Sequence, residues 1–202
     1  MKSVRAYVDL MKLRVVELLI ITTLPAMVLA EKGLPSFGLV AATLIGGTLA
    51  AGASNAFNMV LEAETDKLMA RTSQRPLVTG SVTRTQAIIF ASILTVLSLL
   101  IFEIFTTELA TLLAALAIFY YVVIYTIILK PNTSQNIVWG GAAGCMPVLI
   151  GWAAVTGSLT LVPVAFFLVV FFWTPPHFWA LAIKYKDDYS AAGIPMLPSV
   201  ST

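Results

Sequence analysis

The chain contains a 46-residue run without a single charged side chain, from Pro131 to Pro176. Shorter uncharged runs cover Gly33–Leu61, Thr85–Phe102 and Leu109–Leu129. A membrane-crossing helix needs about 20 apolar residues, so these runs set the architecture. The long run breaks at Thr156-Gly157-Ser158, with Pro163 just beyond, and divides into two helices. Six transmembrane helices are expected, near 15–31, 37–58, 86–105, 109–129, 137–156 and 161–183. The apolar residues do not alternate with polar ones as barrel strands require, so the fold class is all-α, a polytopic bundle forming one membrane domain over 1–202. Charged residues make up only 11% of the 202, against roughly 25% in soluble domains, which excludes a soluble globule and a nucleic-acid binder. The single cysteine, Cys145, has no disulfide partner in the chain.

Eleven of the twelve lysines and arginines fall on one side of this six-span arrangement, and Lys32 alone falls on the other. The positive-inside rule then places the N-terminus, the 2–3 loop, the 4–5 loop and the C-terminus in the cytoplasm. The basic start followed by an apolar core has the outline of a signal peptide, but Glu17 interrupts the core and cleavage would spoil the alternation. Glu17 follows Arg14 by three residues and is expected to pair with it locally.

The polar residues that remain gather on the cytoplasmic side, most densely in the loop 59–85. Asn58, Glu62 and Asp66 follow i, i+4, i+8 spacing, so one helix face carries all three, with Glu64 turned away. Two carboxylates beside an amide make an oxygen-rich site, and Mg²⁺ is commonly held by one or two carboxylates plus substrate phosphates. Arg71 and Arg75 follow and can take phosphate oxygens bidentately. The alternative for the arginines is a solvated loop obeying the charge rule. Pro76 is expected to end the helical stretch.

A second cluster lies in WTPPHFWALAIKYKDDYSAAGIPMLP, residues 173–198. His177, Leu181, Lys184 and Asp188 share a face if the helix is continuous, and Trp173 joins them if Pro175-Pro176 only kinks it. Asp187 and Asp188 form a second acidic pair near the same membrane surface. Two such pairs facing across a cavity can hold a diphosphate through more than one Mg²⁺. The alternative is an interfacial belt, which accounts for Lys184, Tyr185, Lys186 and Tyr189. His177, the only histidine, is an intramembrane ionisable residue and a candidate by that fact. Tyr125 and Lys130 end the fourth span, where Lys130 contacts either phosphate or lipid headgroups. Gly46, Gly47, Gly140, Gly141, Gly144 and Gly151 suit close helix packing.

Asn58-x-x-x-Glu62-x-x-x-Asp66 followed by LMARTSQRPLVTG resembles the first signature of the UbiA-type intramembrane prenyltransferases. YTIILKPNTSQNIVWGGAAGCMPVLIGWAA and the 173–198 segment are similar, more narrowly, to the branch of haem O synthases (protohaem IX farnesyltransferases). The resemblance covers nearly the whole chain. It implies that farnesyl diphosphate binds through Mg²⁺ to Asn58, Glu62 and Asp66, with Asp187 and Asp188 from the second signature, and Asp188 with Glu62 and Asp66 as metal ligands. Arg71, Arg75, Tyr125, Lys130 and Lys184 would hold the diphosphate. Haem B would be the acceptor and not a cofactor, with His177 and Trp173 as its contacts. The implied setting is the bacterial cell membrane, with the lipid bilayer around the bundle and haem A synthase or oxidase assembly factors as partners. Family members usually carry a basic residue after Lys130, where this chain has Pro131. They have about nine spans, and this chain reaches six, so a truncated bundle with weak or no activity is expected. The rival readings are another UbiA-type enzyme acting on an aromatic acceptor, and a non-enzymatic transport or haem-handling protein. No internal repeat of broken helices supports a transporter.

Overall fold

The computed structural model describes residues 2–197, without the side chains of Lys2, Ser3, Arg14, Val15 and Leu18. The expected Arg14–Glu17 pair and the chain end beyond 197 therefore lie outside the described residues. Helices account for most of the described residues, and no strand occurs among them. They are α1 (Lys2–Met11), α2 (Leu13–Glu31), α3 (Phe37–Asp66), α4 (Arg84–Phe105), α5 (Glu108–Phe119), a π-wound stretch (Tyr120–Leu129), a closing turn α6 (Lys130–Asn132), α7 (Asn136–Thr156), α8 (Leu161–Lys184) and α9 (Lys186–Ala191). A single 3₁₀ turn covers Ala70–Thr72 between α3 and α4.

Five of these stretches are long and apolar enough to cross a bilayer: α3, α4, the Glu108–Asn132 unit, α7 and α8. The first expected span is α2, whose start is charged through Glu17, leaving the shorter apolar stretch Leu19–Glu31. The protein is a multi-pass, all-helical membrane bundle. The break expected at Thr156-Gly157-Ser158 is a helix end, where Gly157 takes φ 64°, a left-handed value that glycine adopts without steric cost. α4 begins with a capping box, in which Thr83 and Gln86 satisfy each other's backbone N–H.

α7 lies centrally, against α2, α5 and α8, while α3 packs along α4. Lipid tails are as apolar as leucine, so the helices are held by close contact and a few hydrogen bonds. Small residues permit that contact. A Cβ on Gly151 would stand 2.8 Å from the Thr23 carbonyl oxygen, so α2 and α7 approach backbone to backbone. The ring of Phe102 fills the space over Gly46, whose carbonyl accepts from the Ser98 hydroxyl at 2.7 Å. Gly47 and Gly144, grouped with the packing glycines from sequence, instead border a cavity. Cys145 is buried, with its thiol 3.2 Å from the Gly141 carbonyl.

α1 is amphipathic and lies on the bundle rather than through it. Ala6 and Leu10 join Ala56, Met59, Val60, Ala87 and Ala91 in a core, and Tyr7 meets the Phe90 ring edge-on at 5.0 Å. Lys12 separates α1 from α2 in a left-handed conformation (φ 51°), uncommon for a residue with a Cβ.

Candidate active site

The helical spacing of Asn58, Glu62 and Asp66 carries into the structure, because α3 stays helical through Asp66. All three are buried, Asn58 and Asp66 almost completely at 2% and 1% exposure. Charges at this depth require partners. Arg75 pairs with Asp66 and stands 3.8 Å from Glu62. Lys130 pairs with Glu62. Lys12 donates to Asn58 Oδ1 at 3.0 Å. One row of oxygens on α3 is thus met by three cations from three separate parts of the chain. Burial, reinforced by repulsion from Arg75, pulls the Lys12 ammonium down to about 7.

Lys130 reaches this row because the helix before it is π-wound. In an α-helix the nine residues from Tyr121 to Lys130 would turn through 900° and leave the two on opposite faces. The wider i→i+5 winding advances about 80° per residue and returns them to nearly the same face. Tyr121, Tyr125, Thr126 and Lys130 consequently all turn toward α3 and the cavity. The Tyr121 and Tyr125 rings lie 5.3 Å apart. Thr126 accepts from Asn58 Nδ2 at 3.2 Å.

Above the row opens a cavity of about 590 Å³, within the range of small-molecule sites. Its walls come from α2, α3, the π-wound stretch, α7 and α8, and are mainly apolar. Lys12, Asn55, Tyr121 and Tyr125 lie at its polar end, and Trp173 borders it from α8. An apolar chamber that ends at Lys12, which in turn joins the acidic row through Asn58, fits a ligand with a hydrocarbon body and an anionic head.

The second cluster departs from the sequence reading. α8 remains helical through Pro175-Pro176, so Trp173 and His177 do share a face, their rings stacked at 4.4 Å. The helix then stops at Lys184, and Tyr185 leaves helical geometry (φ −112°, ψ 26°) before α9 begins. Asp188 is therefore not on a continuous face with His177. It accepts instead from the Arg71 backbone N–H at 3.3 Å, while Asp187 is exposed. Arg71 is exposed too, and its guanidinium lies over the rings of Tyr185 and Tyr189 at 5.6 and 5.8 Å, which ties α9 to the turn after α3. Lys184 is exposed beside Tyr185, and His177 is exposed between Trp173 and Phe178.

Among the described residues, no three acidic, histidine or cysteine side chains converge on a point that could hold a metal ion, so Asp188 does not complete a trio with Glu62 and Asp66. The first row alone does suit a hard divalent cation. Its donors are oxygens, and Asp66 Oδ1 is buried with no hydrogen-bond partner. Mg²⁺ needs only one or two carboxylates when phosphates complete its shell.

Sequence reading passed over Lys12 as a topology charge and missed Tyr121, Asn55 and Thr126. The one signal was three polar side chains, Tyr121, Tyr125 and Lys130, in an apolar span at a spacing that suits no α-helical face.

Comparison with known proteins bears on this arrangement. Residues 19–202 match the model of the UbiA prenyltransferase family. A protoheme IX farnesyltransferase of Frankia alni is 57% identical over 199 residues, covering 98% of this chain and 69% of its own length. A protoheme IX farnesyltransferase of Streptomyces avermitilis is 55% identical, with 98% and 65% covered. The chain thus spans about two thirds of the length of these relatives. In fold it is similar to a UbiA homolog from Archaeoglobus fulgidus bound to GPP and Mg²⁺, with a TM-score of 0.75 at 19% identity over 97% of this chain and 69% of that one. It is similar as well to a digeranylgeranylglyceryl phosphate synthase structure, with a TM-score of 0.78 at 18% identity over 98% and 69%. The chain belongs to the UbiA prenyltransferase family.

Proposed function

We propose that this chain forms the diphosphate site and most of the cavity of an intramembrane transferase. It moves the farnesyl group of farnesyl diphosphate to a vinyl group of haem B and so makes haem O. The observation that carries the reading is the buried Asn58–Glu62–Asp66 row, ringed by Lys12, Arg75 and Lys130 and joined through Lys12 to an apolar cavity. The names of relatives more than 50% identical point to the same reaction.

Glu62 and Asp66 would hold Mg²⁺, with Asn58 alongside; Asp187 or Asp188 would join them only on a shift of α9 from the position it holds here. The ion supplies charge neutralisation of the diphosphate. Arg75 and Lys130 turn from their carboxylates to the phosphate oxygens, aided by Arg71 and Lys184, and stabilise the charge that builds up as the C–O bond breaks. The apolar walls keep water from the farnesyl cation until the haem vinyl attacks it. Water then adds to the resulting carbocation and loses a proton, so that farnesyl diphosphate, haem B and water give haem O, diphosphate and a proton. Tyr125 borders the reacting end. Trp173 offers the haem ring an aromatic face, and His177, stacked on it, contacts the iron or a propionate.

The site then faces the cytoplasm, with the N-terminus on the same side of the bacterial cell membrane, and haem A synthase or oxidase assembly factors receive the product. Membranes containing the protein, supplied with haem B, farnesyl diphosphate and Mg²⁺, should form haem O detectable by mass spectrometry. An Asp66→Ala variant should form none. Wild-type protein that binds no farnesyl diphosphate in the presence of Mg²⁺ would sink the reading.

A further inference from the structure

Thr126 has no role in the reading above, yet it is buried and faces the acidic row. Its hydroxyl donates to the Tyr121 carbonyl, five residues back, at 2.8 Å. A carbonyl only accepts, and a hydroxyl has one proton to give, so Thr126 meets Asn58 as an acceptor. The donor there is Asn58 Nδ2 at 3.2 Å. With its nitrogen committed, the amide must turn its oxygen the other way, where it accepts from Lys12 at 3.0 Å. The chain of bonds has a single direction, set from the backbone of the π-wound stretch outward. In an α-helix a threonine hydroxyl bonds back to the carbonyl three or four residues earlier, and this carbonyl would be out of reach.

We infer that Thr126 is a positioning residue: through Nδ2 it locks the Asn58 amide with its oxygen, the one atom of the amide that can meet a cation, facing Lys12, and the π winding at this level presents that hydroxyl. The inference rests on the functional reading above and deepens it. A flipped amide would turn its N–H₂ group on Lys12, donor against donor, and take its oxygen away from the cationic side of the site.

The test uses the protein in nanodiscs, with Mg²⁺ and the unreactive analogue farnesyl thiolodiphosphate as the probe. Thr126→Val keeps the shape and removes the hydroxyl. Its affinity for the probe should fall about tenfold, the scale of one lost orienting hydrogen bond, alongside a modest drop in melting temperature because the buried Asn58 Nδ2 loses its acceptor. Thr126→Ser should restore wild-type affinity. Asn58→Asp has two equivalent oxygens and nothing to orient, so Thr126→Val should cost nothing further in that background. Equal affinity of the Val variant and wild type, or an equal loss in both backgrounds, overturns the positioning role alone. Failure of wild type to bind the probe overturns the functional reading as well. Should Thr126→Val not fold, Thr126→Ala and Thr126→Ser make the same comparison.

Discussion

Lys12 Nζ stands 3.0 Å from Asn58 Oδ1, joining the left-handed link between α1 and α2 to the acidic row on α3. Glu62, Asp66, Arg75 and Lys130 supply the other charges acting on it. With its value drawn down to about 7, this lysine is neutral in the folded protein at pH 8–10, whereas in the unfolded chain it keeps its proton up to about 10.5. The unfolded state then binds more protons, so stability must rise with pH across that window. Between pH 7 and 9 the ligand-free protein should gain up to about 2 kcal/mol. Thermal unfolding in detergent checks this, and Lys12→Met should flatten the dependence.

Arg75 neutralises Asp66, whose second oxygen already lacks a partner. Arg75→Met should destabilise the protein by about 3 kcal/mol, because it strands a buried carboxylate. Millimolar Mg²⁺ should return part of that loss in the variant and have a smaller effect on wild type. Melting curves with Mg²⁺ and with chelator test both expectations.

Gly151 and Gly144 lie two helical turns apart on α7 and should behave oppositely. Gly151→Ala drives a methyl group against the Thr23 carbonyl oxygen and should cost about 1–3 kcal/mol of stability. Gly144 faces open space at the cavity wall, so Gly144→Leu should fold normally. It should instead raise the KM for farnesyl diphosphate more than for a shorter prenyl diphosphate.

Arg71 ties α9 to the turn after α3 through two tyrosine rings and a backbone bond to Asp188. Arg71→Ala should loosen Asp187 and Asp188 and raise several-fold the Mg²⁺ concentration needed for half-maximal turnover. The fold itself should lose no more than about 1 kcal/mol, as is usual for an exposed cation–π contact. Titrating Mg²⁺ against haem O formation separates the two effects.

The helices were legible because uncharged length is a direct consequence of the bilayer, and Gly157 ends α7 where glycine chemistry indicated. The Asn58–Glu62–Asp66 face was legible for a similar reason, since α3 keeps its 3.6-residue period to the last of the three. What escaped depends on departures from that period. The π winding that turns Tyr121, Thr126 and Lys130 inward is marked only by polar side chains at a spacing that suits no α-helical face. The interruption at Tyr185, which removes Asp188 from the face of His177, falls inside a run with no glycine or proline to mark it. Lys12 reads as one more topology charge until tertiary packing folds it under the bundle.

The thirty residues of α3 bear on where the reaction takes place. At 1.5 Å per residue the helix is about 45 Å long, against about 30 Å for the hydrocarbon core. With the Phe37 end at one boundary of the core, the last ten residues stand at headgroup depth on the other side, and these carry Asn58, Glu62 and Asp66. A prenyl diphosphate lying among phospholipids has its own phosphates at that height and its tail below. It can slide sideways into the bundle without lifting its charge out of water or dragging it through oil.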